Sequence, residues 1–290
     1  MTGPKTITYY DSGAADRKPE DGAIEHSTNV FGVIDAFSEP HCPEHPLVLL
    51  NNNGQTGGQF VRDVMRNWLE KSTDSQPLKA VIAHINQMVY GWKLGYGLTI
   101  DDARFYSGAS FAVAKVFRED DRIEIAQGGD CVAIVRFECG GGQTLRGWKF
   151  QSVETDLRRK IAKLMLSPEI AGNRDKMWNA FYYDLCDSRR DRGNHEYPIF
   201  DGRPELMDLI EVATFTLSDI EMIVFATDGA VPWDENPDWL NWSDRLIRAA
   251  QSRETFETHM EWVRTFEIAR NKESHETNAE ATIQAVFFNE

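Results

Sequence analysis

The chain has 290 residues, 41% of them hydrophobic, and a formal net charge of −15 at pH 7. No apolar run approaches the 18 residues that a membrane span requires, and the negative charge repels nucleic-acid phosphates and anionic lipid surfaces. These properties argue against membrane and nucleic-acid partners and favour divalent cations. The N-terminal sequence MTGPKTITYY has no basic segment followed by an apolar one, and the four cysteines are scattered, so we expect a cytoplasmic protein with reduced thiols.

Strand and helix signals alternate along the chain. Apolar or β-branched runs bounded by turn residues predict strands at 28–37, 105–117, 122–129, 131–138, 221–227 and 281–288. Helical periodicity predicts helices at 58–71, 77–96, 156–166, 173–187, 238–251 and 254–272. Because the strands between 105 and 138 are joined by short turns, they form an antiparallel meander. This pattern indicates an α+β fold in which antiparallel sheet layers are covered by helices. No repeat or linker divides the chain, so we expect one domain, 1–290.

Acidic residues recur where predicted strands end. Asp35 closes FGVID, Asp130 lies in a GGD turn, Asp228 follows IVFAT, and Glu20 and Asp21 precede the first of these strands. If the strand ends converge, the like charges raise one another's pKa values unless a cation compensates. Oxygen-only ligands favour Mg²⁺ or Mn²⁺ over zinc. The alternative is that each acid is an ordinary solvated turn residue.

The order of these motifs resembles the metal-dependent protein phosphatase family, type 2C (PPM-like serine/threonine phosphatases). The motifs are Glu20–Asp21, Asp35 after an apolar strand, SGAS at 107–110, GGD at 128–130 and ATDG at 226–229. The resemblance extends from about Tyr9 to Phe288. It implies a single type 2C phosphatase-like domain folded as a four-layer αββα sandwich, with two antiparallel sheets flanked by helices and the metal ions at one end of the sheets.

The resemblance also implies roles for individual residues. Asp35 is expected to bridge two metal ions and Asp228 to bind the second, while the Ala36 carbonyl replaces that of a glycine at the first. Glu20 and Asp21 correspond to positions that hold metal-bound waters.

Further positions complete this set or depart from it. Asp130 corresponds to an acid that helps to bind a third, weaker ion. Ala279 stands where the family has its last metal-binding aspartate, and Glu280 or Asn278 could reach the site instead. Strand alternation turns either neighbour to the wrong face unless the strand bulges. Arg17 is the candidate for the arginine that holds the substrate phosphate.

The implied activity is hydrolysis of phosphate monoesters by metal-activated water, with phosphoserine and phosphothreonine in proteins as substrates and a role in signalling. Two alternatives stay open: a catalytically silent binding or regulatory module, motivated by Ala36 and Ala279, and a small-molecule phosphatase.

Two other clusters carry candidate chemistry. His41, Cys42 and His45 could bind zinc but lack a fourth ligand nearby, so an incidental loop is the simpler interpretation. Arginines 189, 190 and 192 belong to a charged segment, 187–196, which is either a solvated loop or a docking patch for an acidic or phosphorylated peptide.

Overall fold

The computed structural model describes residues 4–12, 19–49, 54–73, 75–146, 148–230, 239–270 and 280–288. Within these ranges the chain forms ten β-strands and seven α-helices. The strands are β1 (Lys5–Asp11), β2 (Gly22–Ala23), β3 (Val30–Phe37), β4 (Gly108–Phe117), β5 (Arg122–Gly128), β6 (Val132–Phe137), β7 (Gly142–Arg146), β8 (Val212–Thr216), β9 (Ile220–Ala226) and β10 (Ala281–Phe287). The helices are α1 (Gly57–Glu70), α2 (Leu78–Gly95), α3 (Trp148–Met165), α4 (Arg174–Asp191), α5 (Leu206–Leu209), α6 (Trp239–Ala249) and α7 (Arg253–Arg270).

The strands form two five-stranded antiparallel sheets. Sheet I has the order β1-β10-β9-β6-β7, and sheet II has the order β2-β3-β4-β5-β8. The inward faces pack on each other through buried side chains from both sheets, among them Val33 and Ile125 of sheet II and Ile223 and Val286 of sheet I. The β3–β4 register pairs Asp35 with Ser110.

Helices cover the outer face of each sheet. Helix α1 begins at a capping box in which the Thr56 hydroxyl accepts a hydrogen bond from the Gln59 main-chain amide. Together with α2, it packs on sheet II through Val61, Met65 and Leu69. Helices α6 and α7 cover sheet I in the same way. The order of layers is therefore αββα, which confirms the predicted α+β sandwich. No helix in the described part of the chain has the length and hydropathy needed to cross a membrane.

Helices α3 and α4 pack against each other, outside the four layers. Val153, on α3, belongs to a small apolar cluster with Tyr197 and Ile199, and this cluster also contacts Phe37 at the end of β3. The two helices are thereby fixed beside the end of sheet II that carries Asp35.

A buried lysine ties helix α2 to the start of β4. Lys93 is fully buried, and its Nζ donates to the main-chain oxygens of Phe105, Ser107 and Asp201 at 2.5, 2.6 and 2.7 Å. Burial lowers the pKa of Lys93 to about 7. Three carbonyl acceptors require three N–H donors, so we assign the charged ammonium to the folded protein.

All six predicted strands and all six predicted helices are present, with shifted ends. The largest difference among the strands is at 105–117, because Ala103–Tyr106 forms a 3₁₀ turn and the strand starts at Gly108. Residues 138–141 form the turn between β6 and β7. The four unpredicted strands, β1, β2, β7 and β8, are the edges of the two sheets. Strands β1 and β7 are partly exposed and carry mixed polarity, KTITYYD and GQTLR, so they lack an apolar run, and β2 has only two residues.

Candidate metal centre

Asp35 and Asp228 come from different sheets and meet at one end of the sandwich. Asp35 lies in β3 of sheet II, and Asp228 begins a 3₁₀ turn directly after β9 of sheet I. Asp35 shares side-chain hydrogen bonds with both Asp228 and Asp21. The structure thus brings three of the predicted acids into direct contact, although they lie far apart in sequence.

Asp130 joins this group from the turn between β5 and β6. Gly129 has φ +72°, and a Cβ there would lie 2.0 Å from Ser110 Oγ, so glycine is required for the turn to sit this close to β4. Ser110, opposite Asp35, forms a hydrogen bond with Asp130. The Oδ1 atom of Asp130 is buried and has no hydrogen-bond partner among the described residues. An acceptor left in this state is suited to a cation.

Glu280 holds the loop that carries the N-terminal acids. Its Oε2 accepts the main-chain amides of Glu20 at 2.7 Å and Asp21 at 3.0 Å. Asp21 Oδ2 also accepts the Thr227 hydroxyl at 2.8 Å. Because β10 begins at Ala281, Glu280 precedes the strand, and strand alternation does not decide the direction of its side chain. Glu280, one of the two residues considered as substitutes for Ala279, lines the cleft.

Glu20 is bound to the start of helix α1. Its carboxylate accepts the Ser38 amide at 2.9 Å and the hydroxyls of Ser38 and Thr56. Gly58, in the first turn of α1, leaves the space that the Glu20 carboxylate occupies. These bonds make Glu20 a support of the acidic loop as well as a lining residue of the cleft.

The acids line a cleft of ≈ 330 Å³. Glu20, Asp21, Asp35, Ala36, Asp130, Asp228 and Glu280, seven of the eight predicted site residues, all line it. The eighth, Arg17, lies outside the described residues, as do Ala279 and Asn278. The cleft is also lined by Phe150, Leu157, Leu185, Ser188 and Arg189 from α3 and α4, and by Tyr197 and Ile199.

Burial and mutual repulsion raise the pKa values of these carboxyl groups. Burial is the largest cause at each group: it raises the pKa of Asp21, Asp35 and Asp228 above the ordinary value and that of Asp130 to about 8. Neighbouring carboxylates raise the pKa values of Asp21, Asp35 and Asp130 further. The positive charge of Arg158 on α3 lowers the pKa of Asp228 and so opposes its shift. Without a cation, the site is therefore protonated in part.

The donors fit a hard divalent cation. They are carboxylate oxygens with raised pKa values, and one of these oxygens is buried without a partner. Mg²⁺ and Mn²⁺ prefer such oxygen ligands, and their charge would replace the protons that the crowded acids otherwise require. Asp35 and Asp228 would hold the ions, with Asp21, Asp130 and Glu280 beside them.

Sequence reasoning did not identify several residues around this centre. The Cys131 thiol has its sulfur within 4.8 Å of carboxylate oxygens of Asp35 and Asp130, and burial raises its pKa well above the ordinary value, so it stays protonated. Arg189 belongs to the segment 187–196, for which the sequence allows either a solvated loop or a docking patch; it lies in helix α4 and lines the cleft. The SGAS motif, which contains Ser110, and the charged segment around Arg189 were the sequence signals for these residues, and Cys131 had none.

The zinc alternative has no support in the described residues. The loop from His41 to His45 is closed by main-chain hydrogen bonds between Cys42 and His45 at 2.9 and 3.0 Å. The His45 ring stacks on Tyr182, with 4.2 Å between centroids. Among the described residues, the only group of three or more possible metal ligands within 4.8 Å of one another is that of Asp35, Asp130 and Cys131.

No protein-family model matches the sequence, and no curated protein matches it either. Solved structures do match the fold. Serine/threonine phosphatase Stp1 from Staphylococcus aureus is 13% identical with a TM-score of 0.55, and the match covers 100% of this chain and 96% of that one. The catalytic domain of the serine/threonine protein phosphatase PstP, in complex with two manganese ions, is 10% identical with a TM-score of 0.56 and coverages of 98% and 97%. RsbX in complex with magnesium is 11% identical with a TM-score of 0.50 and coverages of 99% and 96%. The chain therefore has the fold of the metal-dependent type 2C serine/threonine phosphatases.

Proposed function

We propose that this protein is a metal-dependent phosphatase that hydrolyses phosphate monoesters, with phosphoserine and phosphothreonine residues of proteins as its substrates. The observation that carries the proposal is the convergence of Asp21, Asp35, Asp130 and Asp228, from both sheets, on one cleft. Similar folds bind manganese in PstP and magnesium in RsbX, which supports either ion here.

The residues of the chain have distinct parts in this proposal. Asp35 and Asp228 supply the negative charge that retains the cations, and Asp35 connects the acids of both sheets through its hydrogen bonds. Glu280 and Thr227 fix Asp21 in place. When bound, the cations supply positive charge that lowers the pKa of water and stabilises the charge developing on the phosphoryl oxygens. No side-chain nucleophile is required, which agrees with the buried, protonated state of Cys131.

The test uses p-nitrophenyl phosphate and a phosphothreonine peptide, with Mn²⁺, Mg²⁺ or EDTA. We expect turnover with either ion and none with EDTA. Asp35→Asn and Asp228→Asn should each reduce kcat/KM at least ~100-fold, because each weakens metal binding and with it several kcal/mol of transition-state stabilisation. The matched control is Asp244→Asn on α6, whose side chain is 70% exposed. Absence of turnover, together with a melting temperature that Mn²⁺ still raises, would instead indicate a silent metal-binding module.

A further inference from the structure

Arg189 reaches the acidic cleft from helix α4. Its Nη1 donates to the main-chain oxygens of Ser38 and Tyr106, the latter at 3.2 Å. Its guanidinium lies over the Phe37 ring, 4.3 Å from the centroid. Ser38 and Phe37 follow Asp35 almost directly, so these contacts place the guanidinium beside the metal-binding end of β3.

The Arg189 charge has no carboxylate within ion-pair distance among the described residues, unlike the other arginines of its segment. The paired ones are Arg190 with Asp187 and Asp191, and Arg192 with Asp156 and Glu196. The partners of Arg189 are neutral carbonyls and a ring, which orient the guanidinium without neutralising it. Its pKa is lowered by burial, but from a value so high that the group stays charged.

Two of the three guanidinium nitrogens remain available. In the described part of the chain, Nε and Nη2 of Arg189 form no hydrogen bond, and neither is a fully buried polar atom. These atoms can offer the two parallel N–H donors that bind two oxygens of one phosphoryl group. The apolar side chains of Phe150, Leu157 and Leu185 line the same cleft and reduce the screening of the charge by water.

We propose that Arg189 binds the phosphoryl group of the substrate and holds it against the metal centre. The inference rests on the proposed phosphatase function, but it assigns the anion-binding role to a helix outside the sandwich. The segment 187–196 is then divided in function: Arg190 and Arg192 lie in surface ion pairs, while Arg189 belongs to the active cleft.

The test compares Arg189→Met with Arg190→Met in the Mn²⁺-loaded protein. Methionine keeps the aliphatic packing on Phe37 and removes the donors, and Arg190 is an exposed, ion-paired neighbour on the same helix. Two quantities are measured: the Kd for inorganic phosphate by calorimetry, and KM and kcat with p-nitrophenyl phosphate. We expect Arg189→Met to raise Kd and KM by ~10- to 100-fold, because a charge-assisted pair of hydrogen bonds is lost. Arg190→Met should change Kd and KM by less than about twofold.

Folding of the variants is checked by urea denaturation. If Arg189→Met does not fold, Arg189→Gln takes its place, since its amide is polar and uncharged. Values of Kd and KM within about twofold of wild type in a folded variant would overturn the inference. So would a wild-type protein that binds no phosphate, or an Arg17→Met variant that alone loses phosphate binding.

The outcomes separate this inference from the proposed function. A wild-type protein that hydrolyses no phosphate ester, but binds phosphate through Arg189, contradicts the proposed function and supports the anion site. A wild-type protein with turnover that is unchanged in Arg189→Met contradicts only the role of Arg189.

Discussion

Asp130 gives a quantitative prediction for the metal-free protein. Burial and the neighbouring Asp228 raise its pKa from 3.8 to about 8. Between these values the folded protein binds a proton that the unfolded chain has released, so the free energy of unfolding decreases as the pH rises from 4 to 8. Asparagine does not titrate, and its amide nitrogen could donate to the carboxylates beside it. We therefore expect Asp130→Asn to stabilise the metal-free protein at neutral pH.

The size of the effect follows from the pKa difference. At pH 7 the unfolded carboxyl is ionised and the folded one is protonated, and the gap of about three pH units corresponds to ~4 kcal/mol at 1.36 kcal/mol per unit. This value is an upper limit, because rearrangement of the Ser110 hydroxyl and entry of water would reduce it. Near pH 4 the variant and the wild-type protein should have nearly equal stability.

Urea denaturation in EDTA at several pH values between 4 and 8 measures the difference. Asp244→Asn, on the exposed face of α6, is the control and should stay within ~0.5 kcal/mol of wild type at every pH. Saturating Mn²⁺ should remove most of the slope with pH, since a cation favours the ionised acids. A stability difference that does not change with pH, or an Asp130→Asn variant less stable than wild type at pH 7, would refute this reasoning.

Three further predictions concern packing around the site. Lys93→Met leaves three buried carbonyls without their donor, so urea denaturation should show a free energy of unfolding lower by ~3–5 kcal/mol. A decrease below ~1 kcal/mol would contradict the role of Lys93 as the donor to these carbonyls. In Gly58→Ala, the new Cβ would lie 2.7 Å from Glu20 Cδ, so we expect the free energy of unfolding to fall by ~1–3 kcal/mol. The control is Gly91→Ala, on an exposed part of α2 with nothing within 4 Å, in which the free energy of unfolding should rise by ~0.5–1 kcal/mol. Glu280→Ala frees the two amides of the acidic loop and should raise the Kd for Mn²⁺ by ~10-fold or more in calorimetric titration, whereas an unchanged Kd would show that Glu280 does not support the metal site.

Local sequence patterns predicted the central strands and the long helices of the fold. The six central strands and six long helices each carry an apolar run or an amphipathic stripe, because burial on one or both faces constrains every second or every third to fourth residue. The edge strands β1, β2, β7 and β8 were not predicted. Strands β1 and β8 pair with strands distant in sequence, whereas β2 has only two residues and β7 has mixed polarity. Ten-residue β4, buried throughout, and five-residue β7, with two exposed residues, illustrate the contrast.

The metal site shows the same difference between local sequence patterns and contacts between distant segments. The sequence by itself determined which acids follow the apolar strands, and the resemblance of their order to the type 2C family predicted that Asp35, Asp130 and Asp228 share one centre. Only the tertiary structure decided that Glu280 binds the loop of Glu20 and Asp21, and that Arg189 lies in a helix reaching the cleft. A local sequence pattern reflects only the burial of its own segment. These contacts join residues up to 260 positions apart, and their geometry is set by the packing of two sheets and a pair of helices.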